Sequence, residues 1–593
     1  MSLSASMWTS VTGLLVHGEK MNVVGNNIAN VNTVGFKGSR MDFEDFVNQN
    51  VFAASGPSQV GRGVAIGAIY GNFSQGSFEQ STEPTDIAIS GNGFFKVKPI
   101  GTDQEYYTRA GNFRFDPEGY LVDPHGYALQ GWRIQMPTPS LATSGSGGAA
   151  GATSASSLKG TGAPTNIKLD SFTCDPKHTN NMSLELNLDN RESGKTVSAN
   201  ASPNFDPTKA INTDPTDPDY NDPGQPFFAL LQGWDARQEP ALGENSYIYQ
   251  HTMNIYDEGG AKRKVTIYFD KVEASELPEG NQPAQNRTYW EYIVTIDPAE
   301  DVRVFDGDLA NPADDTYPSN KSKGILMAGT LEFDSTGEFQ NMTAYVPNKG
   351  DSTTANDNAE NDVDLNNWVP APISANGFPL FCPNFAGAPG ASTAWDLDNP
   401  GHLNPNAQNY LVELDLGLRN KHNAWANTGT AASVGHDYTN LATIGSNNIE
   451  RQPSRTRSFA QSSGSVNQSQ DGYSFGYLST VYFDRDGIMY GKYSNGQTLA
   501  LFQVALYDFQ SPHNLHREGG NLFSETKESG DATSGPANSM GLGSVYGNSL
   551  EQSNVDLATE FVQMITTQRG FQANSKAITT VDTMLETVIG MKR

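Results

Sequence analysis

The sequence predicts an α+β fold that is predominantly β, with discontinuous terminal helices and nested β domains inserted between them. Three observations support this fold class: an apolar heptad near the N-terminus, a second heptad near the C-terminus, and alternating apolar and polar residues broken by turns between them. The chain holds 59 Gly and 32 Pro, a composition that favours short strands over long buried helices. A chain of 593 residues is too long to fold around a single hydrophobic core, so we expect several domains.

Residues 1–36 predict a helix. Its apolar positions recur every seven residues, at Met7, Leu14, Met21 and Ile28. The pattern is interrupted by three glycines, Gly13, Gly18 and Gly25. Each glycine costs about 1 kcal/mol relative to Ala in a helix interior. Only Glu19 and Lys20 carry formal charges in this segment. We therefore expect a helix that is weak alone and that packs closely among other helices.

The C-terminus predicts a matching helix. Ser553 and Asn554 are its candidate N-caps. The apolar positions that follow again recur every seven residues, at Leu557, Met564, Phe571, Ile578 and Leu585. The two chain ends are therefore expected to pack against each other, although an ordinary coiled coil or a local helical core explains the same repeats at this stage.

Period-two patterns predict strands between the two helices. Residues 85–97 alternate like a strand broken by a Gly-Asn-Gly turn, and residues 107–132 and 481–509 have the pattern of strands joined by tight turns. The sequence Phe-Asp-x-x-Gly occurs three times, at 115–119, 333–337 and 483–487. Asp can accept hydrogen bonds from a turn backbone and Gly can adopt a positive φ, so we interpret each copy as a hairpin turn.

The middle of the chain differs in composition. Residues 141–165 form a Gly/Ser/Ala linker, and the polar stretch 348–367 suggests a subdomain boundary. The acidic stretch 214–222 is interpreted as a solvated loop, because it lacks the Gly and the final Glu of a calcium-binding loop. Further strands are predicted at 247–257, 261–274, 288–297 and 408–418.

The charge of the chain disfavours two classes of partner. A formal net charge of -28 and a pI near 4.6 disfavour nucleic acid, whose phosphates require clustered Lys and Arg, and also an anionic membrane. No stretch approaches the roughly 20 apolar residues of a membrane helix. Since no secretory signal is recognised near Met1, these signs alone lead us to expect a soluble cytoplasmic protein.

No catalytic, cofactor-binding or metal site is predicted, and we expect that the protein is not an enzyme. The glycines of 61–67 lack the preceding strand and the following helix of a dinucleotide site. His513 and His516 lie between Pro and paired Gly residues, which favour a loop over a metal-binding helix. Cys174 and Cys382 are the only cysteines, and whether they form a bridge stays open.

Specific motifs at the two ends resemble a known family. The segments NNIANVNTVGFKG (26–38) and MDFEDF (41–46), together with residues 553–593, strongly resemble the bacterial flagellar axial proteins, which are the rod, hook and hook-associated family. Residues 86–95 and 107–132 are similar to the next, shared β domain of rod and hook proteins. In this family a long insertion within that β domain is typical of hook proteins, whereas rod subunits carry little or none.

The resemblance implies a nested domain order. The terminal helices would form an inner tube of coiled coils around a central channel, with the β domains stacked outward. The implied parts are a terminal helical core domain (1–45 and 549–593), a connecting segment (46–70), an inner β domain (71–145 and 465–548), an inserted outer β domain (146–350) and a further outer insertion or return segment (351–464).

The resemblance also implies which residues assemble the tube. The two heptads would face each other, and neighbouring subunits would cover the rest of both helices. The asparagines near the end of the first helix are uncharged polar groups that suit a crowded environment with hydrogen-bond partners, where unpaired charges are costly. A turn at residues 33–37 would lead the chain out of the tube. The predicted interface comprises Met7, Leu14, Met21, Asn26, Asn27, Ile28, Asn30, Thr33, Gly35, Phe36, Lys37, Leu557, Phe561, Met564, Gln568, Phe571, Ile578 and Leu585.

The implied function is that of a flagellar hook subunit. Such a protein self-assembles without cofactors into a curved, flexible tube that transmits torque as a universal joint and encloses the export channel. The implied partners are further copies of the chain, the flagellar rod, hook cap and hook–filament junction proteins and the type III export apparatus, with no nucleic acid and no membrane insertion. The location expected from composition changes accordingly to the extracellular flagellum, reached without a cleaved signal peptide. A distal-rod protein with an insertion and an acidic, β-rich surface adhesin are the alternatives.

Overall fold

The described chain separates into two compact units. A computed structural model describes residues 3–53, 56–134, 162–195, 226–273, 287–303, 322–348, 365–388, 391, 393–394, 396, 403–435 and 437–591. The terminal unit comprises Met1–Pro137, Ala155–Cys174 and Tyr477–Arg593, and the inserted unit comprises Thr138–Ser154 and Asp175–Gly476. No helix in these described ranges is long and apolar enough to cross a membrane.

The terminal unit begins with a helix and a long antiparallel ribbon, in which four short strands pair two by two. Their elements are α1 (Leu3–Ala29), β1 (Ser39–Asp45), β2 (Gln49–Ala53), β3 (Gly56–Val60) and β4 (Val64–Gly71). In the ribbon, β1 pairs with β4 and β2 pairs with β3, both antiparallel. The predicted N-terminal helix is confirmed.

Nine short strands follow in the terminal unit. They are β5 (Phe78–Gln80), β6 (Ile87–Ser90), β7 (Phe94–Pro99), β8 (Tyr106–Thr108), β9 (Arg114–Phe115), β10 (Leu121–Val122), β11 (Tyr127–Arg133), β12 (Thr165–Asn166) and β13 (Thr173–Cys174). The turn between β6 and β7 holds Gly91 at φ 103° and Gly93 at φ 127°, a conformation that is strained for other residues. The strands predicted within 85–97 and 107–132 are confirmed.

Besides single turns of 3-10 helix, the inserted unit contains thirteen strands and one short α-helix among its described residues. They are β14 (Asn181–Asn187), α2 (Ala229–Gly233), β15 (Tyr249–Tyr256), β16 (Lys262–Val272), β17 (Arg287–Thr295), β18 (Ile325–Asp334), β19 (Phe339–Met342), β20 (Tyr345–Pro347), β21 (Trp368–Pro370), β22 (Leu380–Phe381), β23 (Val412–Asp415), β24 (Leu418–Asn420), β25 (Ile449–Arg451) and β26 (Gly464–Gln470). The four strands predicted between residues 247 and 418 are confirmed.

The chain then returns to the terminal unit. The returning elements are β27 (Gly476–Phe483), β28 (Ile488–Tyr493), β29 (Thr498–Asp508), β30 (His516–Gly519), β31 (Leu522–Ser524), β32 (Thr533–Pro536), β33 (Ser544–Gly547), β34 (Ser549–Glu551) and α3 (Leu557–Met591). The strands predicted at 481–509 and the C-terminal helix are confirmed.

One sheet joins the two halves of the terminal unit. Its main path runs β13-β27-β28-β29-β11-β7-β8-β31-β30. Strand β29 is buried along most of its length, as expected for a central strand covered on both faces. It pairs with β11 at Gly131↔Val504 and with β7 at Phe95↔Leu506. The core therefore draws fully buried side chains from both halves, including Ile89, Phe95, Val504, Leu506 and Val545.

Two sheets share one core in the inserted unit. A seven-stranded sheet follows the order β15-β16-β17-β18-β20-β21, with β19 beside β18, and a four-stranded sheet follows β22-β23-β14-β26. Leu184 and Leu186 of the smaller sheet belong to the same buried cluster as Ile267, Phe269 and Trp290 of the larger one. A second cluster contains the buried side chains of α2 together with others from the larger sheet, including Tyr289, Ile293 and Tyr345.

The three Phe-Asp-x-x-Gly copies form the predicted hairpin turns. In each, the Asp side chain accepts a backbone hydrogen bond from the residue four positions later. The bonds run from Tyr120 to Asp116, from Glu338 to Asp334 and from Ile488 to Asp484, at 2.7, 3.0 and 2.9 Å. Gly119, Gly337 and Gly487 have φ values of 87°, 84° and 72°. The interpretation as a turn device is confirmed.

The predicted N-cap of the C-terminal helix is wrong. Asp556 is the cap, since its carboxylate accepts from the Ala558 backbone at 3.0 Å and from the Thr559 hydroxyl at 2.8 Å. These bonds, first of all that from Thr559, lower the pKa of Asp556. The Asn554 side chain instead accepts from the Gly38 backbone at 2.9 Å. Because this tertiary contact occupies its side-chain oxygen, Asn554 does not cap the helix.

The division predicted within the insertion differs from the structure. Strand β14 pairs with β23 and β26, and β20 pairs with β21, so 146–350 and 351–464 share sheets and a core. Strand β26 pairs in the inserted unit, although the predicted inner β domain resumes at residue 465. Most of the predicted boundary at 348–367 and of the linker at 141–165, and all of the loop at 214–222, lie outside the described residues. Cys174 and Cys382 are both buried thiols, and burial raises the pKa of Cys382 to about 12.

Candidate assembly surface and its junction

The terminal helices α1 and α3 lie antiparallel against each other. Three contacts fix their register: Gly13 with Asn574, His17 with Gly570, and Asn27 with Glu560. A contact that lies a given number of residues further along α1 lies the same number of residues earlier along α3, which is the pattern of an antiparallel pair. The two chain ends therefore pair within one chain, as the heptads predicted.

Glycines allow the close approach of these helices. A Cβ on Gly13 would lie 2.8 Å from Nδ2 of Asn574, and a Cβ on Gly570 would lie 2.6 Å from Cε1 of His17. Each glycine thus receives a side chain of the other helix, and an added methyl group would force the helices apart. Gly18 and Gly25 differ, because no described atom outside their own helical turn lies within 4 Å of where their Cβ would be.

The buried residues of the paired helices are not those of the predicted heptads. They lie mostly three positions after the heptad residues, or beside them, and are Ser10, Gly13, Val16, Val24, Asn27, Thr567 and Val581; β1 and β4 also contact α1. The heptad residues at the edge of the pair are half-buried, namely Met7, Leu14, Met21, Ile28, Met564, Phe571, Ile578 and Leu585. Leu557, Phe561 and Gln568 are exposed. The glycine contacts set a register that places small and polar residues at the centre of the pair.

Many apolar side chains of the two helices face solvent in the single chain. Among the described side chains of α1 and α3, three apolar ones are buried, Val16, Val24 and Val581. The exposed large apolar ones are Trp8, Leu15, Leu557, Phe561, Val562, Ile565, Met584, Val588, Ile589 and Met591. So many exposed large apolar side chains on two helices are typical of a protein interface.

The predicted asparagines have different surroundings. Asn27 is buried, donates to the Ser39 carbonyl at 2.8 Å and to Glu560 Oε1 at 3.1 Å, and accepts from the Ser39 backbone at 2.9 Å. Asn30 donates to the Asn26 carbonyl at 2.9 Å and accepts from the Thr33 hydroxyl at 3.1 Å. Asn26 is exposed. Asn27 therefore joins α1, β1 and α3, whereas Asn30 closes the end of its own helix.

Residues 33–37 form the predicted turn out of α1. Gly35 has φ 69°, and a Cβ there would lie 2.5 Å from the Ala110 backbone nitrogen, so only glycine fits. Phe36 is buried, and the guanidinium of Arg517 lies 5.7 Å from its ring centroid. Arg517 also donates to the Lys37 carbonyl at 2.7 Å.

Three charged side chains meet inside the protein at this turn. Lys37 Nζ lies 2.7 Å from Glu551 Oε1, and Arg109 Nη1 lies 3.3 Å from Glu551 Oε2. The side chains are 0%, 4% and 0% exposed for Lys37, Arg109 and Glu551. Burial lowers the pKa of Lys37 and that of Arg109, and the carboxylate of Glu551 partly opposes both shifts. We name these three residues the junction triad.

Sequence analysis identified only Lys37 of the junction triad. Arg109 and Glu551 lie in strand-and-turn segments where a single charged residue is usually solvated, and no spacing links them to Lys37. The partner of a buried charge is distant in sequence here, so local patterns carry no signal for it.

The described residues contain no candidate metal-binding cluster. No group of three or more His, Cys, Asp or Glu among them could hold a metal ion. Of the two histidines considered above, His513 contacts the Gly71 carbonyl at 2.9 Å and His516 lies 3.3 Å from Glu518.

Family models match four segments of the chain. They are "Flagella basal body rod protein" at 9–37, "Flagellar hook protein FlgE/F/G D1 domain" at 88–155, "Flagellar basal body protein FlaE D2 domain" at 233–473 and "Flagellar basal body rod FlgEFG protein C-terminal" at 547–591. The first and last coincide with most of α1 and α3.

Curated relatives align over nearly the whole chain. The flagellar hook protein FlgE of Treponema pallidum is 27% identical, and that of Borreliella burgdorferi is 28% identical, with 99% of both chains covered in each case. The flagellar hook protein FlgE of Escherichia coli is 25% identical, with 98% of this chain and 99% of the relative covered. A crystal structure of Helicobacter pylori flagellar hook protein FlgE2 matches at a TM-score of 0.40 and 14% identity, over 80% of this chain and 100% of that one.

Proposed function

The chain belongs to the bacterial flagellar hook protein family and is a structural subunit of the hook, and on that premise we propose that α1 and α3 form the surface through which its copies polymerise. The single observation that carries the proposal is the imbalance of burial on these helices. Ten large apolar side chains are exposed and three apolar ones are buried among those described. Neighbouring copies that cover the exposed set would supply the missing apolar contacts.

The glycines of α1 support the same role. Gly13 receives a side chain of α3, whereas Gly18 and Gly25 leave open space on the described surface of the helix. A helix of another copy can approach closely at such positions. The predicted interface residues at the edge of the α1–α3 contact would then be completed by other copies in the tube.

The hook tube would be curved and flexible and would transmit torque while enclosing the export channel. Its partners would be further copies of the chain, the rod, hook cap and hook–filament junction proteins and the type III export apparatus. The flagellar, extracellular-side location follows from the family, and export would occur without a cleaved signal peptide. Flexibility would arise if residues 166–460 of neighbouring subunits slide past each other at polar contacts, while the contacts between the helices are kept.

The proposal is tested by placing one charge on the helix surface. Leu15 is 67% exposed on α1, and Val466, on β26 of the inserted unit, is 65% exposed. We expect Leu15→Asp to abolish or strongly reduce tube formation, because an unpaired carboxylate would be buried between copies. Val466→Asp is the matched control, with the same change at the same exposure, and should assemble. Electron microscopy and sedimentation of the purified chain measure both.

Two results would contradict the proposal. If Leu15→Asp assembles as well as the unchanged chain, the exposed face of α1 is not an interface. If Val466→Asp is equally defective, added charge in general blocks assembly and the helices have no special role.

A further inference from the structure

We propose that the junction triad fixes the direction in which the terminal helices leave the sheet of the terminal unit, with Glu551 as the positioning residue. The inference rests on the proposed polymerisation, in which every copy must present its helices at the same angle. Its geometry, however, is a property of the single chain and can be measured there.

Glu551 connects three distant segments. Its Oε1 atom contacts Lys37 and accepts from the Gly76 backbone at 2.9 Å. Its Oε2 atom contacts Arg109, which follows β8. Its own carbonyl accepts from the Gly35 backbone at 2.7 Å. One residue at the end of β34 therefore holds the exit from α1 and the approach to α3 against the sheet.

The composition of the triad is poor for stability. It brings two cations and one anion together without solvent. Lys37 Nζ also donates to the Ser74 carbonyl at 2.8 Å and Arg109 Nη2 to the Gly91 carbonyl at 2.7 Å, but the Nε atom of Arg109 is buried with no hydrogen-bond partner in the described part of the chain. Buried ion groups often contribute no more than apolar residues of the same volume, and their best-attested use is to specify one arrangement among several. We infer that specification of direction is the role of this group.

Other bonds at the junction would keep the helices attached without the triad. Asn554 accepts from the Gly38 backbone at 2.9 Å and donates to the Asn72 carbonyl at 2.8 Å. Asn521 donates to the Val34 carbonyl at 2.8 Å. An apolar cluster in place of the charges would add non-directional attraction, whereas charged hydrogen bonds depend on angle. Loss of the triad should therefore make the angle between the helices and the sheet variable, while the helices stay attached.

A head-to-tail polymer amplifies such loosening. Its contacts are heterologous and repeat from copy to copy, so a change in angle accumulates along the tube instead of closing on itself. Chains without the triad should still associate through their apolar helices, but into polymers of mixed curvature and diameter.

The test replaces the triad by apolar residues of similar volume, Lys37→Met, Arg109→Met and Glu551→Leu together. The matched control is Asp301→Leu with Arg303→Met in the inserted unit, where a pair at 2.8 Å is also 1% exposed on each side. Spin labels on Asn22→Cys of α1 and on Glu118→Cys, in the turn between β9 and β10, report the direction in the monomer by distance measurement. The labelled chains carry Ser in place of the buried Cys174 and Cys382. Electron microscopy reports the regularity of the polymer.

We expect the triad variant to fold with a urea midpoint near that of the unchanged chain, to lose the single narrow distance distribution, and to form irregular polymers. The control should keep both the narrow distribution and regular tubes. A narrow distribution in the triad variant, or failure of that variant to fold, would overturn the inference, the second because the triad would then serve stability. If the unchanged chain forms no tubes, the proposed function fails while the monomer distances still decide the role of the triad.

Discussion

In the inserted unit most of the described large apolar side chains are buried, whereas on the terminal helices ten of the described ones are exposed and only three are buried. Phe269 and Trp290 are fully buried between two sheets, while Trp8, Leu15 and Ile589 stand in solvent on α1 and α3. The inserted unit thus buries most of its described large apolar side chains within one chain. In the proposed polymer, other copies would cover the exposed side chains of the helices, so the same hydrophobic effect would drive folding in one region and association in the other.

Charge divides the two units in the same way. The inserted unit contains 41 acidic and 19 basic residues, against 25 and 19 in the terminal unit. Within α1 the only formal charges are Glu19 and Lys20. If α1 desolvates against other copies, as proposed, few charges are expected on it because burying unpaired charge is costly; α3 differs, with five charged residues, Glu560, Arg569, Lys576, Asp582 and Glu586. Excess acid on the inserted unit favours solubility.

The largest effect is expected from removing residues 1–40. The chain without them should form no tubes, because α3 loses its partner helix and the polymer loses the exposed apolar side chains of α1, Trp8 and Leu15. Tryptophan fluorescence during urea unfolding should change little, because Trp234, Trp290, Trp368 and Trp425 lie in the inserted unit. Tubes formed by the shortened chain would show that the helices are not the assembly surface.

A substitution in the inserted core should have the opposite pattern. Phe269→Ala removes a fully buried ring and should lower the free energy of unfolding of the inserted unit by about 3–5 kcal/mol. Tube formation below the unfolding range should persist. The control is Phe475→Ala, at an exposed Phe of the same unit, and equal destabilisation by the two would contradict the distinction drawn here. Urea titration followed by tryptophan fluorescence measures both.

Loss of the observed N-cap should have a smaller effect. Asp556→Ala removes the bonds to the first turn of α3 and should destabilise the helix by about 1 kcal/mol, read as a lower midpoint of thermal melting by far-ultraviolet circular dichroism. Ser553→Ala, at the N-cap that sequence analysis favoured, should leave that midpoint nearly unchanged. If Ser553→Ala lowers the midpoint more than Asp556→Ala does, Ser553 is the N-cap, as the sequence predicted.

The smallest effect expected is a pH dependence confined to the inserted unit. Burial raises the pKa of Glu413, even though Asn376 donates to it at 3.0 Å. A carboxyl whose folded pKa is raised contributes stability that is present below its ordinary value of about 4.5 and is lost as the pH rises through the folded value. Glu413→Gln should therefore gain stability relative to the unchanged chain between pH 5 and pH 8, measured by urea unfolding.

The control for this pH effect is Glu244→Gln, at an exposed Glu of the same unit. It separates the loss of any carboxylate in this unit from the loss of the buried one. A pH-independent stability difference for Glu413→Gln would mean that Glu413 titrates normally in the folded protein.

Much of the fold could be predicted from local patterns. The heptads, the period-two strands and the three Asp-Gly turns depend on residues close in sequence, whose backbone preferences and hydrogen bonds act locally. Asp556 was missed because Ser553 and Asn554 are equally good caps by residue type, and only the tertiary contact of Asn554 with Gly38 removes one of them. The pairing of β14 with β23, more than 200 residues apart, has no local signal at all.

The proposed assembly surface and the junction triad also have features that local sequence predicts and features that only tertiary contacts set. The sequence by itself determined that both ends are helical, nearly uncharged at the N-terminus and rich in apolar residues, because composition and period suffice for that. Only the tertiary structure decided which side of each helix is covered, because Gly13 and Gly570 set the register through contacts with Asn574 and His17. Only the tertiary structure brought Lys37, Arg109 and Glu551 together, since buried charges are paired by the fold and their partners can lie anywhere along the chain.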